Sequence, residues 1–262
     1  GSLAALSMTE MADAFRRGMD LYVERHDNSA ATIEDFRSAM QDASGVDLSA
    51  VLAEHRAADA DATLHLVRVP DPTAFGCVPT DASGRVLAFL EKTLNPPTDQ
   101  VNAGCYVFRR SVIDAIPHGR PVSVERETFP GLLREGRRLQ GHVESSYWLD
   151  LGTPAAFVRG CADLVQGIAP TSALPGPVGT SLLLEGAKTA ATASVSDGST
   201  LGRDVVVGDG SRIIGSVVMD GARIGDNVVV TRSVVGPRAV IGHETVVSDA
   251  VVGDDVHLLV QR

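Results

Sequence analysis

Cysteine, positive charge and long apolar runs are scarce in this chain of 262 residues, and each shortage removes a class of protein. Cys77, Cys105 and Cys161 are odd in number and widely spaced, without metal-ligand pairing, which argues against a disulfide framework and for a reduced, cytoplasmic protein. Lys and Arg number 23 against 33 Asp and Glu, a net charge of -10 that speaks against nucleic-acid binding and against a basic membrane-surface protein. A phosphate-bearing ligand would therefore need a local cluster of cations. No apolar run approaches the roughly 20 residues that span a bilayer, and no basic stretch followed by an apolar signal core opens the chain. The start at Gly1-Ser2, without Met, reads as a tag remnant or a truncated frame. What is present is a globular composition, 44% hydrophobic, sufficient for one large or two ordinary domains.

Residues 1–48 have a helical texture. Ser7 and Glu10 fit a capping box ahead of Met8, Met11, Ala12, Phe15, Met19 and Tyr22 at helical spacing. A second helix is expected from Thr32, with Asp35 in the box position and Ile33, Phe36 and Met40 on one face. Two short helices cannot bury their apolar faces alone. From about Asp47 the pattern changes to mixed α/β. A helix is expected over Leu48–Arg56 and a strand over Ala62–Val69, stopped by Pro70. Further strands are expected at Phe75–Val78, Arg85–Leu90 and Cys105–Phe108, with helices near 111–116, 127–137 and 154–166. The proline- and glycine-rich run from Ala169 to Gly179 reads as a linker.

In Tyr147–Pro154 the apolar residues before Asp150 suggest a strand end, Gly152 permits a turn, and Thr153-Pro154 can cap and start a helix. Asp150 is then either a solvated turn residue or a ligand for metal or substrate at a strand's C-terminal edge. Two other clusters stand out. Glu91-Lys92 closes a strand and Asn102-Ala103-Gly104 opens another. Lysine can hold a phosphate, glutamate and asparagine can read sugar hydroxyls, and aspartate can hold magnesium.

Beyond the linker the chain repeats itself. Leu201, Val218, Val235 and Val252 are 17 apart, as are Val207, Ile224, Ile241 and Leu258, and Ile213, Val230 and Val247. Apolar positions step by six, six and five, a hexapeptide rhythm that builds a parallel β-helix with one aliphatic side chain pointing inward per short strand. A weaker first coil is expected near Leu184, Ala190 and Val195. Such coils serve acyltransferases, with a histidine as base, or order oligomers; His243 and His257 read here as turn histidines. The open ends of stacked coils point to self-association as a homo-oligomer.

Two resemblances follow from these stretches. Gly18–Asp27 and Ala30–Phe36 resemble a helical segment of the aminopeptidase N family of zinc peptidases, over about residues 1–49. The zinc motif His-Glu-x-x-His is absent: the single His-Glu pair is His243-Glu244, and Val247 stands where the second histidine would be, which excludes peptidase chemistry of that type. Residues 47–262 resemble the sugar-1-phosphate nucleotidyltransferases, closest to the mannose-1-phosphate guanylyltransferases. The resemblance rests on the clusters above, on Phe75–Val78, on Ser123–Pro130 and on the coil.

This resemblance implies an α/β fold: an incomplete, Rossmann-like nucleotidyltransferase domain over 47–168, a linker over 169–183 and a left-handed parallel β-helix over 184–262, behind a helical segment over 1–46. It implies that Lys92 contacts the sugar phosphate, that Glu91, Asn102 and Gly104 line the sugar site with Glu125 close by, and that Asp150 binds Mg2+. Sugar 1-phosphate and a nucleoside triphosphate would be the substrates, with Lys92 and Asp150 carrying the catalysis. Thr93 replaces the family's usual proline. The family's Gly-Gly-x-Gly-Thr-Arg triphosphate loop is absent from the sequence, as is the first metal-binding aspartate expected before the Asp47-Leu48 helix. Impaired transfer is thus the expectation. The alternatives are a non-catalytic β-helix assembly or regulatory module, or a fusion of two reading frames near Ser44–Ser49 with no function of its own.

Overall fold

The computed structural model describes residues 49–90, 92–169 and 179–259. The two expected N-terminal helices, Glu91 and the centre of the linker lie outside these residues. Among the described residues, one compact unit runs to Trp148 and a second begins at Leu149.

The first unit is organised on a strand that is buried on both sides. β1 (Ala62–Arg68) is flanked by β2 (Gln100–Phe108), antiparallel, and β3 (Leu139–Glu144), parallel. Six consecutive buried residues in β1 mean that both pleat faces are covered. One face is apolar: Leu64, Leu66 and Leu139 pack with Val78, Val86, Val112, Phe129 and Leu132. Each fully buried large side chain of this layer contributes about 1.5–3 kcal/mol by transfer from water. Thr63 and His65 take the other face, against α1 (Ser49–Ala57). There His55 Nδ1 lies 2.8 Å from Thr63 Oγ1, and His142 Nδ1 lies 2.6 Å from Glu54 Oε2. Gln140 Nε2 donates to Glu54 Oε1 at 2.9 Å. His65 is buried beside them, its Nε2 3.1 Å from Glu144 Oε2 but without a hydrogen bond. Burial, with His142 adding to it, lowers the pKa of His65 below 6.5 despite Glu144, and burial likewise lowers that of His55.

β3 was not expected from the sequence. Its alternation is visible in Leu-Gln-Gly-His-Val-Glu, but Gly141 interrupts the β-branched pattern, and tertiary packing explains it: a Cβ there would lie 2.6 Å from Leu66 Cδ1 and 2.9 Å from Thr80 Cγ2. The strands expected at 75–78 and 85–90 are instead isolated bridges, Cys77 to Leu90 and to Val101, Thr80 to Val86, and Arg85 to Gln140. Successive residues there bond to different neighbours: Cys77 exchanges bonds with Leu90, Val78 donates to Gln100, and Val86 donates to Leu139, so no ladder forms. The helix expected at 111–116 is α2 (Arg110–Asp114). That expected at 127–137 divides into a π-helical turn, Val124–Thr128, and α3 (Phe129–Arg134), because Pro130 has no N–H and restarts the helix. The strand end expected before Asp150 is corrected as well: β3 stops at Glu144, and 145–150 are irregular.

The second unit opens with α4 (Pro154–Val165), where the Thr153 cap accepts a hydrogen bond from the Ala156 N–H at 3.1 Å. Beyond it lies a parallel β-solenoid of about five coils. One sheet stacks Ser181–Leu183, Ser199–Leu201, Val217–Val218, Val234–Val235 and Val251–Val252, and two further sheets hold five and four strands. Leu201, Val207, Ile213, Val218, Ile224, Val230, Val235, Ile241, Val247 and Val252 form one core, as the 17-residue spacing predicts. Leu258, in the last coil, is 39% exposed because nothing is stacked on it among the described residues.

The first coil is real but its register differs from the sequence reading. Leu183 pairs with Leu201, Thr189 with Val207 and Val195 with Ile213, so the coil is 18 residues long and Leu184 and Ala190 are not the stacked positions. Its third corner uses two left-handed residues, Asp197 and Gly198, where later coils use one, Gly215, Arg232 or Asp249. Corner strain at the charged residues is offset partly by neighbours: Arg232 holds Asp249 through two hydrogen bonds of 2.7 and 2.6 Å, and Arg238 holds Asp255 in the same way.

Buried serines close the polar ledger of the core. Ser199, Ser216 and Ser233 each accept from the backbone N–H one coil on, at Ser216, Ser233 and Ala250, while their hydroxyls donate to Ser196, Ile214 and Thr231 carbonyls. His243 has a similar part: its Nδ1 accepts from the Asp226 N–H at 2.9 Å, the place Asp226 itself fills for Asp209. The coil also covers α4, with Val158 packed on Val217 and Val234.

Candidate functional site

The site begins with an irregularity in β2. Tyr106 pairs with Leu64 and Asn102 with Leu66, so the three residues of β2 between them stand opposite one of β1, His65. The extra residues form a bulge at 103–105, and Gly104 takes φ +84°, a left-handed value that disfavours side chains even though open space surrounds it. In a regular strand Asn102 and Tyr106 would share a face but be about 13 Å apart; the bulge brings their α-carbons toward the roughly 7 Å of two strand steps.

Their side chains consequently meet. Asn102 Nδ2 donates to the Tyr106 hydroxyl at 2.5 Å and to Glu125 Oε1 at 2.5 Å, while Asn102 Oδ1 accepts from the Gly104 N–H at 3.0 Å. Those three contacts fix the amide orientation. Tyr106 donates to the same Glu125 oxygen at 3.2 Å. Glu125 is exposed on the π-helical turn, whose start is capped by Ser123, accepting from the Arg126 N–H at 3.2 Å. The Tyr106 ring is pinned edge-on to Phe129, centroids 5.1 Å apart, in the apolar layer. Burial raises the Tyr106 pKa; the Asn102 bond opposes that and the Glu125 charge adds to it, so the phenol keeps its proton.

The structure thus unites Asn102, Gly104 and Glu125, three of the residues named from the sequence. Lys92 is exposed and, among the described residues, without a hydrogen-bond or ion-pair partner. Its segment is laid beside β2 by bridges, since Leu90 is joined to Cys77 and Cys77 to Val101, the neighbour of Asn102. Glu91 lies outside the described residues. Asp150 belongs to the second unit, where it is exposed and its Oδ1 accepts from the Gly152 N–H at 3.1 Å. Tyr106 was missed by the sequence reading. Its signal was a glycine inside a strand pattern, which marks a bulge and so alters which side chains meet.

Among the described residues no group of three or more His, Cys, Asp or Glu is disposed to hold a metal ion. Magnesium is commonly held by one or two carboxylates together with water and substrate phosphates. Asp150, with Oδ2 clear of the Gly152 bond, fits as one such carboxylate. No helix among the described residues is long and apolar enough to cross a membrane.

Comparison with known proteins identifies the family. The family described as nucleotidyl transferase matches residues 7–167, and that described as GMPPB C-terminal domain matches residues 178–261. The first match overlaps residues 1–46, the segment likened to aminopeptidase helices. The mannose-1-phosphate guanylyltransferase of Mycobacterium tuberculosis is 57% identical over 176 residues, covering 67% of this chain and 49% of that protein. Mannose-1-phosphate guanylyltransferase 1 of Arabidopsis thaliana is 31% identical over 169 residues, 62% of this chain and 45% of the relative. The catalytic subunit beta of the Xenopus tropicalis enzyme is 30% identical over 115 residues, 44% of this chain and 31% of the relative. The chain therefore spans about half the length, or less, of these relatives.

Proposed function

Because this chain belongs to the nucleotidyl transferase family, we propose that it binds a sugar 1-phosphate for nucleotidyl transfer of the mannose-1-phosphate guanylyltransferase type. In that reaction a phosphate oxygen of the sugar 1-phosphate attacks the α-phosphate of a nucleoside triphosphate in line, and pyrophosphate leaves; the protein's part is position and positive charge. The observation that carries the reading is that Glu125, from the π-helical turn, meets Asn102 beside Gly104 on the bulged strand. Lys92, with no hydrogen-bond or ion-pair partner among the described residues, is assigned to the sugar phosphate as a point charge, and Glu91, Gly104 and Glu125 to the sugar, with Asn102 beside them in the site. Asp150 is assigned to magnesium, which when bound neutralises charge on the transferring phosphoryl group. The triphosphate loop is absent from the sequence, so this chain supplies the sugar-phosphate half of the reaction and turns over weakly by itself. Cysteines that are few and widely spaced along the chain favour a reducing cytoplasmic setting.

Calorimetry with mannose 1-phosphate tests the binding. Lys92→Ala should weaken it about tenfold, the effect of losing one charged contact. Unchanged affinity in Lys92→Ala, or no binding by the unaltered chain, refutes the assignment. Asp150→Asn should remove the dependence of binding on magnesium. Steady pyrophosphate release from guanosine triphosphate, magnesium and mannose 1-phosphate, at the rate of a full transferase, would overturn the half-site view.

A second reading concerns assembly. The last coil exposes Val246, Val251, Leu258 and Leu259 beside strand edges that lack a following coil among the described residues. Such a surface favours a homo-oligomer through the solenoid. Sizing of the purified protein tests this, and a clean monomer contradicts it.

A further inference from the structure

Asn102 has little left to offer a sugar. Both of its amide hydrogens have internal acceptors, Tyr106 and Glu125, and Oδ1 already accepts from Gly104. The Tyr106 hydroxyl is similarly occupied: it accepts from Asn102 and donates its one proton to Glu125. Both side chains converge on the same carboxylate oxygen, Oε1, while Oε2 of this exposed residue is in no hydrogen bond among the described residues. A carboxylate held by one oxygen and open at the other is a fixed acceptor, suited to the donor O–H groups of a hexose. Tyr106 can serve as the fixed end of this arrangement because its ring is locked against Phe129, a residue with no exposed surface.

On the reading that the chain binds a sugar 1-phosphate, we infer that Glu125 is the residue that reads the sugar hydroxyls, and that Tyr106 and Asn102 are positioning residues that aim it. This differs from the direct sugar contact that the family resemblance implied for Asn102. A loosely held glutamate on a π-helical turn would lose rotamer freedom on binding; the two donors remove that freedom beforehand. An acceptor aimed in this way is left unsatisfied by a deoxy-sugar phosphate, which lacks a donor hydroxyl.

Calorimetry on the full chain, with mannose 1-phosphate and a deoxy analogue lacking one ring hydroxyl as probes, tests the roles. Glu125→Ala is expected to weaken mannose 1-phosphate binding about tenfold or more and to abolish discrimination against a deoxy analogue missing the hydroxyl that is read. Tyr106→Phe, which keeps the ring packing, should reduce that discrimination while leaving the affinity for inorganic phosphate unchanged. The decisive measurement is the double-mutant cycle. If Asn102 acts only through Glu125, Asn102→Ala adds nothing further in a Glu125→Ala background. Additive effects would overturn the inference while leaving sugar-phosphate binding intact, whereas no binding by the unaltered chain overturns both. A ligand-free check follows Tyr106 ionisation by ultraviolet absorbance, with Tyr106→Phe as the blank. Glu125→Gln should lower the pKa of the phenol, and no change would refute the Tyr106–Glu125 contact.

Discussion

Replacing Gly104 by alanine separates the conformational demand of the bulge from its packing. A Cβ at Gly104 would meet no atom within 4 Å, so the φ of +84° is the source of the cost. A left-handed L-residue costs about 1–2 kcal/mol, and the smaller entropy of the unfolded alanine chain adds to stability by about 0.4–1 kcal/mol. The net loss is on the order of 1 kcal/mol, or a fall of about 4–8 °C in the melting temperature of a unit of this size. Gly119 and Gly136 supply internal controls, with φ of +80° and +71° and equally open surroundings. Trp148, the sole tryptophan, lies in the first unit and reports its unfolding by fluorescence. All three alanine variants should lose similar stability, and Gly104→Ala alone should also weaken mannose 1-phosphate binding, because only Gly104 sets the spacing of Asn102 and Tyr106. Equal effects of the three variants on binding, or a Gly104→Ala protein as stable as the parent, would refute the reasoning.

Other consequences follow from the same physics. Ser216→Ala removes the acceptor of the buried Ser233 N–H, and should cost about 1–3 kcal/mol in denaturant unfolding; hydrogen exchange at Ser233 should quicken, whereas the exposed Ser248→Ala should be nearly neutral. The first unit should lose stability in mild acid. His65 and His55 have folded pKa values below the ordinary 6.5, so the unfolded chain takes up protons first, and stability present above that value is lost as pH falls below it. His65→Gln should flatten this dependence between about pH 7 and pH 5, a range bounded by the ordinary histidine value; an unaltered slope would assign the acid sensitivity to other groups. Arg232→Ala should leave stability nearly unchanged in denaturant unfolding, since its pair with Asp249 is largely exposed and screened by salt.

The solenoid was legible because its rule is local and repeated. Each inward residue is named by its own hydrophobicity and by a period, and the period recurs often enough to fix the stacking of Leu201, Val218, Val235 and Val252. The first coil was misregistered because one extra corner residue, with Asp197 and Gly198 both left-handed, breaks the period while leaving the three-dimensional stacking intact. The sequence also named β1, in the α/β unit, and α4, which opens the second unit, through their apolar pattern and cap. It did not reveal β3, whose Gly141 is selected by the approach of Leu66 and Thr80.

By itself, then, the sequence determined the composition class, the mixed α/β unit and the coil, and it named candidate site residues, since these depend on periodicity, charge and motif order along the chain. Only the tertiary structure decided how the site residues share their hydrogen bonds. A bulge opposite Leu64–Leu66 folds Asn102 back onto Tyr106, and the turn before α3 delivers Glu125 to both, 23 residues from Asn102 along the chain. Contacts of that kind are set by how strands and turns are packed together, and no spacing along the chain encodes them.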